Sequence, residues 1–343
     1  MDVSIIICTA NRASELRCTL ESLALVRPPG RAELLVVDNR STDDTRRVIE
    51  TAARGFPFLV RYLFEGEQGK YGALNTGIRA SSGRVIVATD DDARFEANWL
   101  ERAVDGLTAH GCDFVGGPVR PLWSARKPDW LDEDSALYQK VIAVLDYGPE
   151  AREFGRGVAW PLGVNVAYRR DVFDQVGLFE KRLGRKLGTL RNQAQREWHL
   201  RARAAGVRGV YVPEMVVHHV IPPERLRKAY FRRWLYWNGI SRAILYREGR
   251  YDIEEPDAEQ PPNAGAPQLF GVPYPLIAKA ARTLRSLVWH RMNGRKGVGF
   301  ERELWLCSFA GVVCQRWADR HLPVTEGPAT AKRALDRSAC TLP

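Results

Sequence analysis

Three adjacent carboxylates, Asp90, Asp91 and Asp92, end an apolar run in the segment VIVATDDDARF (residues 85–95). Neighbouring anions repel one another, and more strongly as water is removed, so a fold that gathers three of them needs a compensating partner. One reading is a solvated turn at a strand end, with an Asp capping whatever follows. The other is a divalent cation that arrives with an anionic substrate and offsets the repulsion. Such hard ions take oxygen ligands and commonly use one or two carboxylates plus substrate phosphates. Two further apolar runs also break off into polar residues: Thr9, Asn11 and Arg12 after the first, Asp38 and Asn39 after the second.

The surrounding segments must position these groups. VSIIICT (residues 3–9) is uninterrupted and β-branched, as expected of a strand buried on both faces. ASELRCTLESLAL then places Leu16, Leu20 and Leu23 at helical spacing, and AELLVVD (residues 32–38) returns to strand. STDDTRRVIETAA predicts a helix with Ser, Thr and Asp available as caps. LVRYLF, GALNTGIRAS, RVIVATD, WLERAVDGLTAH and CDFVGG continue the alternation of strand and helix. This order predicts an α/β protein with a mainly parallel, doubly wound sheet and right-handed crossovers. Ligands of such sheets bind beyond the carboxyl ends of the strands, where the three polar clusters fall. No G-x-G-x-x-G loop accompanies them, which points to a nucleotide other than a dinucleotide.

At 343 residues, 45% hydrophobic and 27% charged, the chain has the composition of an ordinary globular protein. The start, MDVSIIICTANR, predicts a strand rather than a cleaved leader. The run LWLCSFAGVVC (residues 304–314) is too short to span a bilayer. Six scattered cysteines lack metal-ligand or disulfide spacing, which suits a reducing compartment. The net charge is +10, and residues 222–320, with 17 basic and 10 acidic side chains, carry +7 of it. Without a nucleic-acid-binding signature, an anionic membrane surface is the better expectation for this excess than nucleic acid.

The segments SIIICTANR, LLVVDNRSTDDT, GKYGALNTGIRASSGRVIVATDDDA, GVNVAYRRDVFDQVGLFE and RARAAGVRGVYVPEMVVHH, in that order, resemble the family 2 glycosyltransferases. The resemblance covers roughly residues 3–247 and implies a GT-A fold, a nucleotide-diphosphate sugar donor and inverting transfer to an acceptor. It implies that Asp38 receives the base or ribose, with Thr9 lining the same pocket and Lys70 contacting the nucleotide. Asp90 and Asp92 match the ends of the family's D-x-D motif, which implies Mg²⁺ or Mn²⁺ bridging carboxylates and diphosphate. Asn165 matches a position beside the donor sugar, and His219 a histidine that approaches the metal. Asn11, Arg12 and Asp91 complete the expected donor site.

The resemblance breaks at the catalytic base. Family members carry two acidic residues at the start of a helix ending R…AG, and here those positions hold Ala194 and Gln195. The nearest carboxylate is Glu197, which shares a helix face with Ala194 and is the expected replacement. The other reading is a non-catalytic relative that binds nucleotide-sugar or glycan as an assembly partner. Nucleotidyl transfer on a similar sheet lacks the Gly- and Arg-rich loop expected after the first strand.

Beyond Gly117, PVRPLWSARKPDWLDEDSA predicts a loop over the sheet. Trp123, Trp130 and Trp160 either stack on sugar rings or plug the interior. Residues 225–248 predict a long basic, aromatic helix, and residues 275–290 another. On the second, Leu276, Ile277, Ala280, Leu284, Leu287 and Val288 fall in one sector, with Lys279, Arg282 and Arg285 opposite. That pattern describes either an interfacial membrane helix or a helix packed on a core.

The expected organisation is a nucleotide-sugar-binding half (1–117), an acceptor-side mixed region of the same GT-A domain (118–247), a helical basic extension (248–322) and a disordered tail (323–343). The expected activity is metal-assisted sugar transfer to a glycan or lipid-linked acceptor in the cytoplasm, peripheral at the inner membrane face.

Overall fold

The computed structural model describes residues 1–155, 158–247, 252–253, 263, 265–294 and 296–322. The expected tail, 323–343, lies outside these residues. The chain divides into two units, one of residues 1–188 and 194–226, the other built from 189–193 and residues from 227 onward.

The first unit begins with the predicted alternation: β1 (Val3–Thr9), α1 (Ala13–Leu23), β2 (Ala32–Asp38), α2 (Thr45–Ala53), β3 (Leu59–Phe64), α3 (Lys70–Ala80) and β4 (Val85–Asp90). Then come β5 (Ala93–Phe95), α4 (Trp99–Ala109), β6 (Phe114–Gly116), β7 (Val119–Trp123), α5 (Ala136–Ile142), β8 (Arg152–Glu153), β9 (Val166–Arg169), α6 (Val172–Val176), α7 (Ala194–Ala204), β10 (Gly209–Tyr211) and β11 (Val217–Ile221). The main sheet has the order β3-β2-β1-β4-β9-β6-β10-β8. Its first four strands are mutually parallel, and β9 runs antiparallel between β4 and β6. Every residue of β2, and all of β1 except Cys8, is buried, as strands covered on both faces require.

Beneath β2, Glu33 is buried and accepts hydrogen bonds from Ser4 Oγ (2.7 Å), Ser82 N (2.7 Å), Ser82 Oγ (2.6 Å) and Arg61 Nη1 (2.9 Å). Burial pushes its carboxyl up, but these donors outweigh burial and hold it at about 2. The network ties β1, β2, β3 and the approach to β4 at the end of the sheet opposite the polar strand ends.

A second sheet, β5-β11-β7, was not expected. The stretch predicted as a loop after Gly117 starts with β7, which pairs in parallel with β11 through Val119↔Val217 to Trp123↔Ile221. Only one face of β7 is covered: Arg120 and Leu122 are exposed while Pro121 and Trp123 lie half-buried on the side of Val119, and the Arg and Pro mask the strand in the sequence. The passage from β6 to β7 needs Gly117, because a Cβ there would lie 2.0 Å from the Met215 carbonyl oxygen.

In the second unit, α8 (Lys228–Arg247), a hairpin of β12 (Gln268–Leu269) and β13 (Val272–Pro273), α9 (Tyr274–Met292) and α10 (Lys296–Ala318) pack together. Ala243, Ile253, Val272, Leu276 and Val312 form a core. Helices α8 and α10 cross closely at Gly239 and Gly311, where a Cβ would meet the opposing carbonyl oxygen at 1.9 or 2.0 Å. The predicted apolar sector of α9 divides. Leu276, Ala280 and Leu287 are buried, whereas Leu284 and Val288 face solvent. No described helix is long and apolar enough to cross a membrane.

Candidate active site

The Asp triplet lies where the two sheets of the first unit meet. Asp90 is the last residue of β4, and Asp91 and Asp92 form the turn into β5. Because β5 pairs with β11, Ala93 stands opposite His219, and Val220 N donates to the Asp92 carbonyl at 2.9 Å. A strand from each sheet thus grips the turn.

Each carboxylate has a different environment. Lys70, at the start of α3, donates through Nζ to Asp90 Oδ1. Burial disfavours the ammonium, but Asp90 outweighs it and holds Lys70 above the usual lysine range. Asp91 accepts from Thr9 Oγ1 at 2.7 Å, and its Oδ1 is 3.1 Å from Arg12 Nη1. Its backbone carbonyl accepts from Thr19 Oγ1 of α1 at 2.7 Å. Asp92, only 2% exposed, meets Arg12 Nη1 at 3.1 Å and Arg225 Nη2 at 3.3 Å, both through Oδ2.

Burial pushes the Asp91 carboxyl above the usual range, against the pull of Arg12. For Asp92 burial acts the same way, yet His219, Arg225 and Arg12 outweigh it and hold the carboxyl well below that range. The negative charge of this adjacent pair is therefore concentrated on Asp92.

His219 is buried, with Nε2 2.9 Å from Arg225 Nη1 and 3.5 Å from Asp92 Oδ1. Asp92 Oδ1 and His219 Nδ1 are buried without a hydrogen-bond partner, which is costly unless something else engages them. An orphaned carboxylate oxygen with an imidazole nitrogen 3.5 Å away suits a divalent cation that draws its other ligands from a diphosphate. Among the described residues no group of three or more His, Cys, Asp or Glu could hold a metal ion. The donor set thus fits a cation that comes with its substrate rather than a closed structural site.

The remaining strand ends brace the loops. Asp38 accepts from Ser41 N (2.8 Å) and from Tyr62 Oη (3.0 Å), and is itself 3% exposed. Its two oxygens keep lone pairs for further donors. Asn11 adopts φ +54°, a left-handed conformation that Asn tolerates, and accepts from Thr42 N at 2.7 Å. Asn39 donates to the carbonyls of Glu65 and Glu67 and accepts from Gly69 N at 2.7 Å, which fixes the entry to α3.

Thr9, Arg12, Lys70, Asp90, Asp91, Asp92 and His219 thus come together, while Asp38 and Asn11 hold the neighbouring loop. Two expected residues have other work. Asn165 is 0% exposed, and its amide accepts from Trp99 Nε1 (2.9 Å) and donates to the carbonyls of Pro118 (2.9 Å) and Met215 (2.6 Å). Its polar atoms pin the crossing between the sheets, so it is removed from the donor-binding set. Glu197, 3% exposed, is tied through both oxygens to Arg201 at 2.7 and 3.0 Å. Arg201 in turn donates to the carbonyls of Val176 and Leu178. The expected replacement base is therefore part of a brace between α7 and the turn after α6. At the usual base positions, Ala194 is fully buried and Gln195 Nε2 donates to the Pro161 carbonyl at 3.0 Å.

Trp160 stacks on His199 with ring centroids 5.2 Å apart, and Trp130 packs edge-on against Tyr138. Both are half-buried, and Trp160 packs against the edge of the core. Arg225 was missed by the sequence reading. Its only signal was a basic residue six positions after His219 in HVIPPER.

The profile described as Glycosyl transferase family 2 matches residues 4–177. The chain is 28% identical over 231 residues to Glycosyltransferase AglE of Haloferax volcanii, covering 66% of this chain and 70% of that protein. It is 27% identical over 281 residues to Glucosyl-dolichyl phosphate glucuronosyltransferase of the same organism, covering 77% and 82%. The Succinoglycan biosynthesis protein ExoM of Rhizobium meliloti is 26% identical over 258 residues, covering 74% and 78%. Among solved structures, the mannosyltransferase PcManGT from Pyrobaculum calidifontis, in complex with GDP-Man and Mn²⁺, superposes with a TM-score of 0.58 at 21% identity, covering 92% of this chain and 87% of that one. GalNAc-T7 with UDP, GalNAc and Mn²⁺ superposes with a TM-score of 0.52 at 16% identity, covering 72% and 51%.

Proposed function

Since the chain belongs to glycosyl transferase family 2, with the GT-A fold of its structural neighbours, we propose that its polar strand ends bind a nucleotide-diphosphate sugar together with a divalent cation. The protein is a glycosyltransferase of glycoconjugate or polysaccharide synthesis. The observation that carries the reading is the Asp92 carboxylate, ionised, buried and left with one unpartnered oxygen beside His219.

In this reading Asp92 and His219 would hold Mg²⁺ or Mn²⁺. When bound, the cation would offset the charge between carboxylates and diphosphate and stabilise the departing nucleotide diphosphate. Mn²⁺ accompanies the nucleotide or nucleotide-sugar in both neighbouring structures, which supports this assignment. Thr9 and Arg12 hold Asp91 and Asp92 in place before the donor arrives, so little reorganisation accompanies binding. Lys70, kept cationic by Asp90, would meet the donor as a fixed positive charge. Asp38, between Tyr62 and Ser41, would accept from the base or ribose. Transfer would proceed with inversion as an acceptor hydroxyl attacks from the face opposite the leaving group. The acceptor would be a glycan or a lipid-linked sugar, the latter met by a chain bound peripherally at the inner face of a membrane.

A second reading rests on one observation: neither Ala194 nor Gln195 can accept a proton, and Glu197 is committed to Arg201. Here the chain binds donor or glycan as an assembly partner and transfers little. Calorimetric titration with a panel of nucleoside diphosphates, run on wild type and Asp38→Ala, tests donor binding. Donor consumption and acceptor elongation measured together distinguish the readings. Binding without either product favours the partner role, and no nucleotide binding defeats the transferase reading and donor binding by a partner alike.

A further inference from the structure

We propose that the outer face of α9 is a docking surface for an anionic lipid bilayer. Helix α9 turns two different faces outward and inward. Leu276, Ala280, Leu287 and His290 are buried within the second unit. The outer face carries Val288 (51% exposed), Trp289 (53%) and Met292 (81%), with Leu284 (54%) at its border. Leu284, Val288 and Met292 are spaced i, i+4, i+8 and form one stripe. At the N-terminal end, Tyr274 is half exposed and lies next to the β12–β13 hairpin, to which its backbone N–H bonds through the Pro267 carbonyl. The hairpin tip presents Phe270, 63% exposed and edge-on to Trp317. Scattered exposed apolar residues are ordinary, but a continuous stripe with aromatic ends marks a contact surface.

The charge on this face selects the occupant. Residues 274–292 hold no acidic residue, and of their basic side chains Lys279 is turned over the Trp305 ring, 5.2 Å from its centroid, which leaves Arg282, Arg285 and Arg291. At about 100° per residue Arg285 lies beside Met292 and Arg282 beside Trp289 on the outward half of the helix; both are exposed, and among the described residues neither forms an ion pair. Arg291 is paired with Glu303 at 2.8 Å and adds less. A protein partner would need acidic side chains matched to these arginines along a helix about 28 Å long. An anionic bilayer offers diffuse negative charge above an apolar layer, which suits Arg stems that reach outward and Trp and Tyr rings with polar edges. With no described helix able to cross the membrane, such docking would be peripheral. The proposal builds on the reading of a lipid-linked acceptor, because docking would hold the chain at the surface where such a substrate resides.

The test uses the full chain with vesicles of phosphatidylcholine alone and of phosphatidylcholine mixed with phosphatidylglycerol. Co-sedimentation should be confined to the anionic vesicles and should weaken as salt rises. At about 1 kcal/mol for each basic residue near the surface, Arg282→Gln with Arg285→Gln should weaken binding about thirtyfold. Trp289→Ser with Met292→Ser should weaken it at every salt concentration. Nucleoside diphosphate titration of the same proteins reports on the donor site and should be unchanged, so failure of docking and failure of the transferase reading remain distinct. Equal binding to neutral and anionic vesicles, or none to either, would overturn the proposal. So would a change of sedimentation-equilibrium mass in the Trp289→Ser, Met292→Ser protein, which would assign the face to contact between copies.

Discussion

Replacing Glu197 with Gln separates a structural ion pair from a proton acceptor. Glu197 is nearly inaccessible and grips Arg201 through two hydrogen bonds, while Arg201 also serves two backbone carbonyls. The amide keeps the shape and one acceptor, but it sets an NH₂ donor against a guanidinium that can only donate. Breaking a buried pair from one side costs about 3–5 kcal/mol. Arg201 is 26% exposed, so water relieves part of the loss and the lower end, about 3 kcal/mol, applies. For a unit of this size 1 kcal/mol corresponds to about 2–4 °C, giving a fall of about 6–12 °C in Tm. Scanning calorimetry measures that fall, and initial rates taken well below the transition should change by less than about threefold. An unchanged Tm with turnover lowered by about 10²–10⁴, the range of a lost general base, would refute the structural assignment.

The Glu33 network predicts a specific acid sensitivity. Its carboxyl is lowered from 4.5 to about 2 in the fold, so its contribution is present above pH 4.5 and is lost as pH falls toward 2. That contribution is worth about 3 kcal/mol, and urea midpoints across this window should become pH-independent at this magnitude in Glu33→Gln. At the vacant base positions, Gln195→Glu should raise transfer, because Gln195 is only half-buried and a carboxylate there, which cannot donate to the Pro161 carbonyl, stays hydrated and ionised. Ala194→Glu should instead lower the urea midpoint, because Ala194 is fully buried; equal gains in turnover from both would show that burial does not separate them.

The parallel half of the sheet was legible because strands covered on both faces are written as unbroken β-branched runs. The small sheet was not. Strands β5 and β7 are three and five residues long and alternate with Arg94, Arg120 and Pro121, so their local composition is that of a loop. Helix α9 was located correctly, but its faces were misjudged, since a period of 3.6 cannot tell which sector meets a core. The Asp triplet stands out in the sequence because three adjacent carboxylates after an apolar run are a local pattern. Arg225 and the roles of Asn165 and Glu197 depend on partners brought in by the fold. Asn165 meets Trp99 across 66 positions, and Arg225 meets Asp92 across 133. Glu197 and Arg201 are only four apart, but their burial against the turn after α6 is not visible in a helical pattern.

The central claim is that the buried Asp92 carboxylate engages a cation carried in with a nucleotide diphosphate. Calorimetric titration of the preferred nucleoside diphosphate into wild type, with Mn²⁺ and with EDTA, tests it directly when repeated on Asp92→Asn. The account predicts tight binding by wild type only when Mn²⁺ is present, and weak, Mn²⁺-independent binding by a variant that remains folded by circular dichroism. Equal affinity of the wild type in Mn²⁺ and in EDTA would contradict it.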